Sequence, residues 1–107
     1  KTMLKDGEKT VVGEEKLKRL TASGDICLDA KVFQTLWENQ HLIPASWKEP
    51  TNGNTTYVFF DGTILRDSHG DRCVLCLCWD GGEWSWYYFW LVYDWGSLEP
   101  SAVLASS

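Results

Sequence analysis

The sequence predicts an α+β domain in which two N-terminal helices pack on one face of a three-stranded antiparallel β-meander. Residues 1–41 hold most of the lysines and helix-forming residues, whereas residues 55–95 hold most of the β-branched and aromatic residues. Two polar turn signals, at 67–71 and 80–82, divide the second region into segments of strand length. The chain has 107 residues, so we expect a single domain over 1–107.

The charge balance is acidic, and it excludes some classes of partner. The chain carries 10 Lys and Arg against 15 Asp and Glu, a net charge of −5. Nucleic acid is not expected as a partner, because phosphate binding needs a basic surface. The most apolar stretch, residues 84–95, is shorter than the roughly 20 residues that a membrane-spanning helix needs. With no apolar signal region at the start of the chain, we expect a cytoplasmic protein that does not enter a membrane.

The first helix is predicted over residues 14–22. Glu14 and Glu15 lie in its first turn and basic residues follow later, which suits the helix dipole. Gly24 provides a stop signal after the last turn. The preceding residues 1–12 are expected to form a flexible arm.

The second helix is predicted from Ala30 to about Gln40, with Asp29 as its N-cap. Its apolar residues recur at the spacing of one helix face. They are Val32, Phe33, Leu36 and Trp37. Pro44 excludes continuation of the helix, so residues 41–48 are predicted to be an extended connection. Three apolar side chains of that connection are expected under the core: Leu42, Ile43 and Trp47.

Three strands are predicted, over residues 56–66, 72–79 and 83–92. The dipeptide Asp61-Gly62 allows a two-residue hairpin turn or, alternatively, a bulge or close-packing point inside one long strand. We favour the second alternative, because a hairpin would leave two very short halves. Residues 97–107 are expected to be a frayed tail.

The predicted sheet is unusual because it is apolar on both faces. Alternation places Trp84, Trp86, Tyr88 and Trp90 on one face of the third strand, and Tyr87 and Phe89 on the other. Two short helices are not expected to cover both faces. The second face is therefore covered by the N-terminal residues Val11, Val12 and Leu17, by another copy of the chain, or by a flat ligand.

Five aromatic side chains are the candidate ligand or interface residues. They are Trp84, Trp86, Tyr88, Trp90 and Trp79. The leading functional hypothesis is a non-catalytic interaction module that self-associates as a homo-oligomer, with a dimer expected, through its aromatic-rich sheet. A second hypothesis is a small-molecule binding protein that takes a neutral sugar or aromatic ligand on its tryptophan-lined face. A third is an acidic inhibitor or immunity-type protein that neutralises a basic partner.

No catalytic, cofactor-binding or metal-ligating residue is predicted. Cys73, Cys76 and Cys78 lie on one predicted strand, where alternation separates their thiols and zinc would lack four converging ligands. Together with Cys27 they are expected to be reduced, with the strand thiols packed as small apolar side chains. His69 lies in a polar segment that is more typical of a solvated turn than of a metal site.

Two stretches carry a resemblance to a known group of proteins. They are His-Leu-Ile-Pro-Ala-Ser-Trp-Lys at 41–48 and Trp-Asp-Gly-Gly-Glu-Trp-Ser-Trp-Tyr-Tyr-Phe-Trp-Leu at 79–91. The chain resembles, over residues 29–95, small uncharacterised bacterial proteins of the kind carried on mobile integron gene cassettes. The resemblance implies one continuous strand through residues 60–63, and it implies no activity or cofactor.

Overall fold

The computed structural model describes residues 1–103 and has an α+β fold with two helices and six strands. The helices are α1 (Gly13–Ala22) and α2 (Ala30–Glu38). The strands are β1 (Thr10–Val12), β2 (Tyr57–Phe59), β3 (Leu65–Arg66), β4 (Arg72–Asp80), β5 (Glu83–Trp90) and β6 (Asp94–Gly96). They form two antiparallel sheets, so the predicted α+β class is confirmed. The single three-stranded meander is wrong, because it omits the second sheet and merges β2 with β3.

The larger sheet has β4 at its centre. On one side β4 pairs with β5 over eight consecutive positions, from Cys73↔Trp90 to Asp80↔Glu83. On the other side it pairs with β2 and then with β3. These last two strands and the turn between them replace the long strand predicted over 56–66.

Gly62 explains why the chain leaves the sheet between β2 and β3. Its N–H donates to the carbonyl oxygen of Leu28 at 2.9 Å, which draws the turn against the segment that precedes α2. A Cβ at this position would lie 2.5 Å from the carbonyl oxygen of Cys27. The close-packing interpretation of Gly62 therefore holds, whereas the continuous strand does not.

The smaller sheet joins the two ends of the chain. β1 pairs with β6, with Val11 opposite Trp95. Residues 10–12, expected in a flexible arm, thus form a strand. Residues 98–102, expected in a frayed tail, also pair with the sheet, because Tyr57 and Phe59 donate their N–H groups to the carbonyl oxygens of Leu98 and Pro100. The remainder of that tail, 104–107, lies outside the described residues.

Two apolar clusters lie on opposite faces of β4. The first is built from Phe33, Ile43, Phe60, Leu77 and Trp84. The second is built from Phe59, Val74, Cys76, Leu91 and Trp95, with Leu17 packed against it. The helices therefore contribute to different clusters, α2 through Phe33 and α1 through Leu17, rather than to one shared face as predicted. Opposite faces need separate covers, because β4 is apolar on both.

The predicted N-cap of α2 is confirmed. Asp29 caps α2, and its carboxylate accepts a hydrogen bond from the N–H of Val32 at 3.0 Å. After α2 the chain makes two short 3-10 turns, at Gln40–Leu42 and Ala45–Lys48, instead of an extended connection. Ile43 is buried there as expected, whereas Leu42 is 55% exposed.

Neither helix within residues 1–103 is both long and apolar enough to cross a bilayer.

Candidate functional site

Within residues 1–103, β5 forms an uncovered edge of the larger sheet. Its only pairing partner within residues 1–103 is β4. The opposite edge is different, because residues 98–102 run beside β2 and exchange hydrogen bonds with Tyr57 and Phe59. A free strand edge presents unpaired N–H and C=O groups to any second strand. Among the described residues, the edge of β5 is thus the side of the sheet that presents unpaired backbone groups.

Large aromatic side chains remain exposed in the middle of β5. Trp86 is 46% exposed, Tyr87 54% and Tyr88 47%. Because successive residues of a strand point to opposite faces, these rings project on both sides of the sheet. Exposed rings of this size on neighbouring positions are typical of an interaction surface.

The five predicted site residues do not form one continuous surface. Trp84 is buried beneath α2 and belongs to the first apolar cluster. Trp79 contacts Trp84 edge to face, with ring centroids 5.2 Å apart, and the Lys48 ammonium lies 4.1 Å from the centroid of the Trp79 ring. These two tryptophans act as core and as a cation–π partner, which leaves three of the five on the open part of the face.

Trp86, Tyr88 and Trp90 line a groove of about 640 Å³ on the face that carries α2. The turn between β3 and β4 forms one wall of this groove. Asp67 of that turn accepts a hydrogen bond from the indole N–H of Trp90 at 2.8 Å, which fixes the ring. This hydrogen bond is the main reason that the pKa of Asp67 lies below its usual range. The groove matches the tryptophan-lined surface predicted for a neutral ligand, and that ligand stays a prediction.

The turn next to the groove uses its polar groups internally. One carboxylate oxygen of Asp67 accepts hydrogen bonds from the N–H groups of His69 and Asp71, both at 2.9 Å. This is the pattern of a polar turn closed by an aspartate. Among residues 1–103, no three His, Cys, Asp or Glu side chains converge on a position that could hold a metal ion.

The cysteines of β4 are packed as apolar side chains. Cys73, Cys76 and Cys78 are buried and unpaired, and Cys27 is half-buried. Burial raises the pKa of the Cys76 thiol to about 12, with a contribution from Cys78. A thiol with a raised pKa is a poor nucleophile and a poor metal ligand at neutral pH.

A second cavity, which the sequence did not predict, lies on the opposite face of the sheet. This cleft has a volume of about 290 Å³. Its wall residues are Tyr57, Phe59, Cys76, Tyr87, Phe89 and Glu99, together with Tyr88. Alternation had already placed Tyr87, Phe89 and Cys76 on one face. The contribution of Glu99 was not predictable, because it depends on residues 98–102 returning beside β2.

A buried lysine was also missed. Lys16 of α1 is fully buried, and its ammonium donates to the carbonyl oxygen of Glu99 and lies 5.1 Å from the centroid of the Trp95 ring. Burial lowers the pKa of Lys16 to about 8, against the opposing effect of the Asp61 and Glu99 carboxylates. Asp61 is 3% exposed, and burial raises the pKa of its carboxyl. The sequence places Lys16 on a polar helix surface, so only the fold reveals its burial.

The titration of Lys16 is expected to appear in the pH dependence of stability. The folded state releases this proton near pH 8, whereas the unfolded state holds it to about pH 10.5. Stability rises with pH where the unfolded state binds more protons. The unfolding free energy of the natural protein, measured relative to that of a Lys16→Met variant, is therefore expected to rise by about 2 kcal/mol between roughly pH 7 and 9.5.

Denaturant titrations at several pH values measure this difference. Lys18→Met is the matched control, because Lys18 lies on the same helix and is exposed. Its stability relative to the natural protein is expected to stay constant over the same pH range. A constant difference for Lys16→Met as well would contradict a lowered pKa of Lys16.

Comparisons with protein-family models, with curated proteins and with solved structures found no match to this chain. The resemblance to integron cassette proteins therefore stays a prediction.

Proposed function

We propose that this protein is a non-catalytic, cytoplasmic interaction module that self-associates through its aromatic-rich sheet, with the free edge of β5 as the contact. The observation that carries the proposal is an edge strand of eight residues that no other described residue pairs with on its outer side, with three exposed aromatic rings at its centre. The opposite edge of the same sheet is already occupied by residues 98–102.

The strand lacks the features that protect free edges in monomeric proteins. Edge strands are commonly shortened, bulged, or interrupted by lysine or proline. β5 reads Glu-Trp-Ser-Trp-Tyr-Tyr-Phe-Trp, without lysine or proline. Its register with β4 advances without a bulge over all eight positions. These features favour a strand partner over open solvent.

A second copy of the chain fits this edge better than an unrelated strand. Two β5 strands related by a two-fold axis perpendicular to the sheet pair antiparallel, and each face of the sheet continues into the same face of its partner. The exposed rings at the middle of β5 then lie next to the partner's rings near the axis. Glu83 is the only charged residue of β5 and lies at one end, so antiparallel pairing keeps the two Glu83 carboxylates apart.

The substitution Trp86→Lys tests this interface. It replaces an exposed ring near the expected two-fold axis with a cation and brings two like charges together in the pair. We expect the natural protein to be a dimer at tens of micromolar in sedimentation equilibrium. The dimer dissociation constant of Trp86→Lys is expected to be about tenfold higher or more.

Val92→Lys is the control for that experiment. Val92 lies beyond the end of β5 and is 70% exposed. No other large apolar side chain of residues 1–103 is more exposed. This variant carries the same charge change and is expected to remain a dimer. A natural protein that stays monomeric at tens of micromolar, or a dimer equally weakened by both variants, would exclude β5 as the contact.

A further inference from the structure

We propose that the cleft on the Tyr87 face binds a methylated ammonium group, with Tyr57, Tyr87 and Phe89 as its aromatic walls and Glu99 as its anion. Tyr87 belongs both to this cleft and to the exposed centre of β5, so choline binding and self-association are measured separately. The proposal assigns a ligand class to a cavity of about 290 Å³.

The cleft is a consequence of side-chain size in one cross-strand row. Register places Phe59 of β2 opposite Cys76 of β4, and Cys76 opposite Tyr87 of β5. The small thiol side chain of Cys76 thus stands between two aromatic residues and leaves a hollow between their rings. Tyr57 approaches Tyr87 from the β2 side, with ring centroids 6.5 Å apart and planes at 68°.

The carboxylate of Glu99 gives the cleft its charge. One carboxylate oxygen of Glu99 accepts a hydrogen bond from the N–H of Gly96 at 3.0 Å, which holds the side chain at the rim of the cavity. The nearby Lys16 ammonium donates a hydrogen bond to the backbone carbonyl of Glu99 and lies beside the Trp95 ring, so it does not fill the cleft. Aromatic faces and a carboxylate attract a cation together, and the net charge of −5 adds to that attraction.

The apolar walls select a methylated ammonium over a primary one. A primary ammonium carries three N–H donors that lose water on entry, and Glu99 is the one carboxylate on the cleft wall among residues 1–103. A quaternary ammonium has no N–H donor to satisfy and presents methyl groups to the rings. Aromatic rings around a quaternary ammonium are a recurring solution for such ligands.

Choline and its neutral isostere 3,3-dimethylbutan-1-ol are the probes that separate charge from shape. Isothermal titration is expected to show saturable choline binding, with the isostere about tenfold weaker or more. The variant Glu99→Gln keeps an oxygen acceptor for the Gly96 N–H while it removes the charge. It is expected to weaken choline binding about tenfold and to leave the isostere unchanged. Tyr87→Ala, at an exposed position, is expected to abolish choline binding.

The control is Trp86→Lys, whose altered side chain lies on the opposite face from the cleft. We expect it to bind choline as the natural protein does, even where it no longer self-associates. Equal affinity for choline and the isostere would mean that the cleft is an apolar cavity with no preference for a cation, and it would contradict the proposal. An absence of saturable choline binding, or unchanged binding by Tyr87→Ala, would overturn the proposal.

Discussion

Replacing Trp95 with alanine is expected to cost about 3–5 kcal/mol of unfolding free energy. Trp95 is the largest of the fully buried side chains, with 1% of its surface exposed. Its ring lies 4.1 Å from the Phe59 centroid and 5.9 Å from that of Phe89, and its indole N–H donates to the Trp90 carbonyl at 3.3 Å. The substitution removes this ring from the second apolar cluster and leaves a cavity beneath α1.

Trp86→Ala is the matched comparison, because it removes the same side chain from a site that is 46% exposed. Its expected cost is about 1 kcal/mol or less. Urea titration monitored by far-UV circular dichroism measures both, at a protein concentration low enough to suppress self-association. Similar midpoints for the two variants would mean that Trp95 does not anchor the second cluster.

The sequence predicted those parts of the fold that depend on neighbouring residues. Asp29 and the apolar spacing after it identified α2, and the polar turn after Asp80 identified the β4–β5 hairpin. The predictions failed where distant segments meet. The pairing of β1 with β6 joins residues more than eighty positions apart, and no local sequence pattern around Val11 or Trp95 predicts this pairing.

The candidate site was predictable in the same partial sense. Strand alternation correctly separated the rings of β5 onto two faces, and both faces retain exposed rings. It did not show that Trp84 and Trp79 are covered by α2 and Lys48, because that depends on tertiary packing. The N-terminal segment covers part of the second face through Leu17, and the remaining part became the cleft beside Tyr87.

Gly62→Ala is expected to destabilise the protein by about 3 kcal/mol, the upper part of the range for overpacking. The new Cβ would lie 2.5 Å from the Cys27 carbonyl oxygen and 2.8 Å from that of Leu28. These are backbone atoms, so no side-chain rotation relieves the clash, and the turn has to move away from the segment that precedes α2. That movement also breaks the hydrogen bond from the Gly62 N–H to Leu28.

Gly53→Ala separates crowding from backbone strain in this experiment. Gly53 has a φ of +80° and nothing within 4 Å of its added Cβ, so its cost is conformational and is expected to be about 1 kcal/mol. Gly62 does not have a positive φ, so its cost arises from contact alone. Thermal or urea unfolding of both variants measures the difference. If Gly62→Ala were no less stable than Gly53→Ala, the segment before α2 would not be held against the β2–β3 turn, and the position of α2 over Phe60 would lose its explanation.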